Sequence, residues 1–370
     1  MAELFEHTSI GSMSLPNRFV RSATWEGMAD KDGSVTSRLI EKMIELAKGE
    51  VGLIISSYAF ISPEGQSSPG QLAVYDDRFL PELRDMAHAV HSSGGRMALQ
   101  LVHGGCNSNP GLSGFESIGP STLSTCREAS REDIAAIISA FARAAGRAKQ
   151  AGFDAVQIHA AHGFLLSQFL SPAFNKRKDE YGGELENRAR LVLEIVRIIR
   201  NTVGLKYPVL IKLNSEDFLE GGMTREEAIQ VAAMLENASI NAIELSGGTV
   251  ASPEKLMPVR PGKLTRKQEV YYREAAMLYK QKVTIPLMLV GGIRSYGIAD
   301  DLVKSGTTDY ISMSRPLICE PGLVKRWKEG DRRKSECISC NSCFGPPSEG
   351  KGFYCVTMAK KYSKAKKKVI

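Results

Sequence analysis

Short apolar, β-type runs recur along the chain with longer amphipathic segments between them, and this alternation restricts the fold more than any other feature. The runs fall at 19–23, 52–57, 97–101, 155–158, 209–213, 242–245, 287–290 and 309–313. Several are continuously apolar, as expected of parallel strands covered on both faces. Helices are expected at 37–48, 77–91, 130–150, 185–201, 225–237, 266–281, 297–304 and 323–328, the third of them stopping at Gly152. Eight strands each followed by a helix predict an α/β fold, a closed (β/α)8 TIM barrel. An open doubly wound sheet ranks second, because it needs a chirality switch and usually fewer strands. The barrel is assigned to residues 1–330, a Cys-rich extension to 331–358 and a basic tail to 359–370.

Charge narrows the function classes. The net charge is +7, and residues 351–370 hold seven lysines and no acid. The rest of the chain is therefore balanced, with no electrostatic footprint for nucleic acid. The terminal lysines read as a solvated, mobile tail. No apolar run reaches the roughly eighteen residues of a membrane span. MAELFEHTSI lacks the basic-then-apolar pattern of a signal peptide, so a cytoplasmic location is expected. On that basis disulfides among the seven cysteines are improbable, and metal ligation gains weight.

The segments after the third, fourth and sixth strands (102–129, 159–184 and 246–265) are long and rich in Gly, Pro, Ser and Asn. In a barrel these are βα loops on the C-terminal face, where active sites lie. His159 and His162 stand three apart at the end of strand four, placed to donate hydrogen bonds to a carbonyl oxygen or to an anion. A zinc pair, or histidines satisfied in a polar loop, is the plainer alternative. A zinc protease is disfavoured, since His-Ala-Ala-His lacks the His-Glu-x-x-His spacing. Gly291 and Gly292 follow strand seven, and Ser314 and Arg315 follow strand eight, the usual phosphate site of this fold. Lys212, ending strand five, could form a Schiff base, offer fixed charge to an anionic ring system, or pair with Glu216 or Asp217. Gln100, ending strand three, can both donate and accept, which suits an imide-like edge.

The segments 15–24 (LPNRFVRSAT), 100–105 (QLVHGG), 159–172 (HAAHGFLLSQFLSP), 175–183 (NKRKDEYGG) and Glu186-Asn-Arg188, with the Gly291-Gly292 and Ser314-Arg315 pairs, resemble the motifs of the old yellow enzyme (NADH:flavin oxidoreductase) family. The resemblance implies FMN at the barrel mouth and NAD(P)H as reductant. Ala23, Thr24 and Tyr58 would lie beside the isoalloxazine, Gln100 at its pyrimidine edge, and Lys212 near N1 and O2. Gly291, Gly292, Ser314 and Arg315 would hold the phosphate. His159 and His162 would bind a substrate carbonyl oxygen.

The departures bear on substrate choice. Phe164 stands where many relatives carry a proton-donating tyrosine, so Tyr58, Tyr181 or a water must substitute. Trp25 replaces the Cys or Thr of related ene-reductases, and Lys212 replaces an arginine, keeping charge but losing the planar fork. Cys337, Cys340, Cys343 and Cys355 resemble the cluster segment of the branch that includes 2,4-dienoyl-CoA reductase and trimethylamine dehydrogenase, with a shorter second gap. Four such thiolates suit a 4Fe–4S cluster, then a structural four-cysteine zinc site, with free thiols as the third option. No Gly-x-Gly-x-x-Gly follows the cysteines, so electrons are expected from NAD(P)H directly or from a separate electron-donor protein. The first expectation is an ene-reductase acting on an α,β-unsaturated carbonyl compound, CoA thioesters included. The alternatives are an FMN amine dehydrogenase or demethylase, an electron-transfer subunit with an iron–sulfur relay, and, last, a Schiff-base aldolase. A small-molecule substrate and a nicotinamide partner are expected, and a homo-oligomer is compatible with the sequence.

Overall fold

The computed structural model describes residues 2–262, 265 and 268–366. The eight strands are β1 (Phe19–Arg21), β2 (Leu53–Phe60), β3 (Met97–Val102), β4 (Ala155–Ala160), β5 (Val209–Asn214), β6 (Ala242–Ser246), β7 (Leu287–Leu289) and β8 (Tyr310–Met313). Each pairs in parallel with its neighbours in sequence, and β8 pairs with β1 to close the barrel. The helices that follow them are α1 (Ser37–Lys48), α2 (Leu80–Ser92), α3 (Arg131–Gln150), α4 (Leu185–Val203), α5 (Arg225–Asn237), α6 (Arg273–Lys282), α7 (Tyr296–Lys304) and α8 (Leu323–Lys328). The barrel expectation is borne out.

Local chemistry explains where the helices start. Ser130 and Asp133 form a reciprocal capping box at α3, as Thr224 and Glu227 do at α5, each satisfying two N–H groups that a helix start leaves orphaned. The helix expected over 266–281 starts only at Arg273; residues 266 and 267 lie outside the described ones. Two arginines of the family-like motifs prove to be struts. Arg177 donates to the carbonyls of Pro120 (3.1 Å) and Ala129 (2.7 Å) and pairs with Asp179. Arg188 bonds the Leu170 carbonyl and Glu227, tying the β4 loop to α5.

Inside the barrel the strands alternate. Val20, Leu53, Ile55, Ala98, Ala155, Leu210, Ala242, Met288 and Tyr310 form an apolar layer, plugged from below by an N-terminal hairpin, Thr8–Ile10 with Met13–Leu15. Two residues further along, the inward positions become polar: Gln100, Gln157, Lys212, Glu244 and Ser312, all buried. Five of the strands thus carry a buried polar residue at the level just below the mouth, whereas the 287–290 run is apolar throughout.

One expectation about the cysteines is corrected, and the start of the tail proves to be helical. Cys106 and Cys126 form a disulfide, with Cα atoms 4.9 Å apart, that closes the long loop after β3. The absence of an apparent export signal argued against it, but the loop folds back so that its two cysteines meet. The basic tail expected from residue 359 is part of a helix, Val356–Lys366; residues 367–370 lie outside the described ones. The Cys-rich extension packs on the barrel: Phe353 donates its N–H to the Glu26 carbonyl (2.9 Å) and Arg294 donates to that of Cys337 (2.7 Å). Among the described residues, no helix is long and apolar enough to cross a membrane.

Candidate active site

A cavity opens at the C-terminal ends of the strands. Its wall includes Ala23, His162, Lys212, Gly291, Gly292, Ser314 and Arg315, seven of the residues singled out from the sequence. Gly291 has φ +131, and a Cβ there would lie 3.0 Å from Tyr272 Cδ2, so the turn after β7 admits only glycine. Arg315 is locked against the wall by the Arg260 carbonyl (2.8 Å), Asn341 Oδ1 (2.5 Å) and the Tyr271 hydroxyl (3.2 Å). Thr24 sits behind the wall, its hydroxyl 2.8 Å from that of Ser314.

His162, in the turn after β4, lines the same cavity, and His159, near the end of β4, packs against it. His162 has φ +65, a conformation uncommon outside glycine; its N–H donates to Asn214 Oδ1 (3.1 Å), and its Nε2 is 2.7 Å from Ser246 Oγ. His159 Nδ1 accepts the Ala161 N–H at 3.3 Å, which places the ring proton on Nε2 as a donor. The two rings meet edge to face, centroids 5.2 Å apart. Burial, reinforced by the Lys212 charge, holds both imidazoles well below their ordinary pKa, so both are neutral at physiological pH. The turn is braced from the disulfide loop: Asn107 Nδ2 donates to the Gly163 carbonyl (2.7 Å), and the Cys106 N–H donates to Gln168 Oε1 (3.0 Å).

The two expected proton donors part company. Tyr58 packs beside the Phe164 and His159 rings (5.6 and 6.4 Å) and its hydroxyl meets Ser68 at 3.0 Å; burial pushes its pKa up to about 12. Tyr181 instead donates to Glu194 on α4 (3.0 Å), away from the cavity wall. It is therefore a loop anchor, an outcome set by how the 175–183 segment turns outward.

Gln100 and Lys212 belong to a buried row that includes two residues the sequence reading passed over. Gln100 Nε2 donates to Gln157 Oε1 (2.6 Å), and Gln157 Nε2 donates to Glu244 Oε2 (3.0 Å). Lys212 Nζ bonds Ser22 Oγ (2.8 Å) and lies 3.4 Å from Glu244 Oε2, so its acidic partner is neither Glu216 nor Asp217. Period-two polarity within β4 and β6 was the available signal for Gln157 and Glu244.

The four C-terminal cysteines line one smaller cavity with Arg315, Ile338 and Val356. Among the described residues, no three His, Cys, Asp or Glu side chains converge to hold a single metal ion.

The glycine–arginine pocket after strands seven and eight thus shares one cavity with His162, at the position of the usual phosphate site of a β/α barrel. The chain matches the NADH:flavin oxidoreductase / NADH oxidase family over residues 3–334 and belongs to it, in agreement with the old yellow enzyme resemblance. It is 37% identical to the NADH oxidase of Thermoanaerobacter brockii, over 92% of this chain and 53% of the relative. Its structure resembles a 2-naphthoyl-CoA reductase–2-naphthoyl-CoA complex (TM-score 0.89, 31% identity, 95% of this chain and 56% of that one). It also resembles histamine dehydrogenase from Rhizobium sp. 4-9 (TM-score 0.84, 27% identity, 95% and 51%). The chain spans about half the length of these relatives.

Proposed function

We propose that this barrel binds FMN and acts as an NAD(P)H-dependent reductase of an activated C=C bond in an α,β-unsaturated carbonyl compound, CoA thioesters included. The observation that carries this reading is the neutral His162 ring in the same cavity as the glycine–arginine pocket, with the neutral His159 ring packed against it. The donor set fits the cofactor. Gly291, Gly292, Ser314 and Arg315 would hold its phosphate, and Ala23, Thr24, Tyr58, Gln100 and Lys212 its ring system. Bound FMN would supply the redox chemistry, passing reducing equivalents from NAD(P)H to the double bond. The chain's own part is to bind and polarise. His159 Nε2–H and the His162 ring would hydrogen-bond the carbonyl oxygen, stabilising the negative charge that builds there. Neutral imidazoles suit this, because they donate without giving up a proton. Lys212 would offer its fixed positive charge to the ring system. Tyr58, buried and protonated, remains the candidate proton donor, since Phe164 carries no proton to give.

A second element of the reading concerns the four cysteines, which line one cavity although no three of them converge on a single metal ion among the described residues. Four thiols around one space suit the thiolate set of a 4Fe–4S cluster, which would serve as an electron relay. The structural likeness to histamine dehydrogenase makes an amine dehydrogenase the competing activity. The deciding measurement is the visible spectrum of the anaerobically purified protein with NAD(P)H and then an enone. Bleaching of a flavin band by NAD(P)H and its return with enone is expected. Return with an amine-derived imine alone, or a folded protein that takes up no FMN, would refute the proposal.

A further inference from the structure

Glu244 is fully buried and stands outside the cavity wall, yet it contacts the side chains that form the cavity floor. Its Oε1 accepts from Ser312 Oγ (2.5 Å); its Oε2 accepts from Gln157 (3.0 Å) and lies 3.4 Å from Lys212 Nζ. Lys212 and Ser312 are themselves wall residues. Burial opposes ionisation of Glu244, but the Lys212 charge and the hydrogen bonds from Ser312, Ser22 and Gln157 outweigh it and keep the carboxyl below its ordinary pKa.

A carboxylate only accepts hydrogen bonds, whereas a primary amide has one accepting and one donating end. Ionised Glu244 therefore demands the NH2 end of Gln157. That turns Gln157 Oε1 toward Gln100, which must answer with its own NH2, as the 2.6 Å contact has it. Gln100 Oε1 is then left to accept. The charge on Glu244 thus dictates, two side chains away, which end of Gln100 is available, and it also offsets part of the Lys212 charge.

We propose that Glu244 is a positioning residue for the flavin: it sets the hydrogen-bond direction of Gln100 and moderates Lys212, and so fixes the relative affinity for oxidised and reduced FMN. This rests on the FMN reading above. A direct consequence follows for Glu244→Gln, which keeps the shape but removes the charge. Its amide can donate as well as accept, so the row loses its enforced direction, and Lys212 stands uncompensated. Oxidised FMN is expected to bind about tenfold more weakly. The ratio of reduced to oxidised affinity is expected to rise about tenfold, which is about 30 mV in a two-electron potential. Glu244→Asp, which retains the charge, should recover most of that ratio.

Removing a buried partner can also unfold a protein, so Gln157→Met provides an independent arm. It cuts the amide row while leaving Glu244 with Lys212 and Ser312. Oxidised FMN should bind about tenfold more weakly, with the reduced-to-oxidised ratio changing less than in Glu244→Gln. The measurements are FMN dissociation constants by fluorescence and the potential of bound FMN by dye equilibration. Wild-type FMN affinity and an unchanged potential in the folded variants would overturn the proposal while leaving the FMN reading intact. If Glu244→Gln does not fold, wild-type FMN affinity in Gln157→Met overturns it. A wild-type protein that takes up no FMN refutes both.

Discussion

Replacing His159 with alanine tests the substrate face directly, because the structure fixes both the proton position and the charge of that ring. Nδ1 is committed to the Ala161 N–H at 3.3 Å, leaving Nε2–H to donate, and burial keeps the ring neutral. A hydrogen bond to a neutral carbonyl is worth about 0.5–1.5 kcal/mol net, and one to a charged oxygen about 1.5–3 kcal/mol. His159→Ala should therefore weaken a neutral enone by roughly 2- to 12-fold, but a phenolate by roughly 10- to 150-fold. His162→Ala should follow the same order, with FMN retained in both. The assay is titration of each ligand into the FMN-loaded protein, read from the flavin absorbance. The pH profile adds a sign. A ring whose folded pKa lies below that of the unfolded chain is protonated in the folded state only at still lower pH. Enone affinity should then stay flat between about pH 6 and 8, and any stability contributed by the neutral rings should fade as pH drops below about 6.5, where the unfolded chain takes up the proton. Equal losses for phenolate and enone, or an enone affinity with a midpoint near 6.5, would refute the reasoning.

Two further perturbations follow from the same geometry. Phe164→Tyr places a hydroxyl beside the His159 and Tyr58 rings, now 4.9 and 5.6 Å from the Phe164 ring, and should raise the rate of enone-dependent reoxidation by up to about 100-fold if proton delivery limits it. Stopped-flow measurement with no gain would assign the proton to another donor. Cys106→Ser with Cys126→Ser opens a loop that spans a sequence separation of 20 and should lower stability by about 2–4 kcal/mol in a denaturant titration. Because that loop braces the Gly163 turn, enone affinity should fall as well; unchanged affinity would show that the turn stands without it.

The sequence by itself determined the repeating strand–helix order, and with it the barrel and the face on which the site lies. Strand-end residues were legible for the same reason: in a closed barrel, position along a strand translates into height, so Lys212, Gly291 and Arg315 could be placed at the mouth. What depended on which way the chain turns in space was not. Tyr181 sits in a family-like motif but points to Glu194, because a loop's direction is set by the struts around it, here Arg177 and Asn175. The Cys106–Cys126 pairing required the loop after β3 to fold back on itself, a long-range closure that spacing does not encode. Lys212 had two acids nearby in sequence and paired with neither; Glu244 lies on the neighbouring strand, brought level with it by parallel register. Only the closure of the sheet brings Gln100, Gln157, Lys212, Glu244 and Ser312 into one row from strands far apart in the chain, turning isolated polar residues into a connected floor beneath the site.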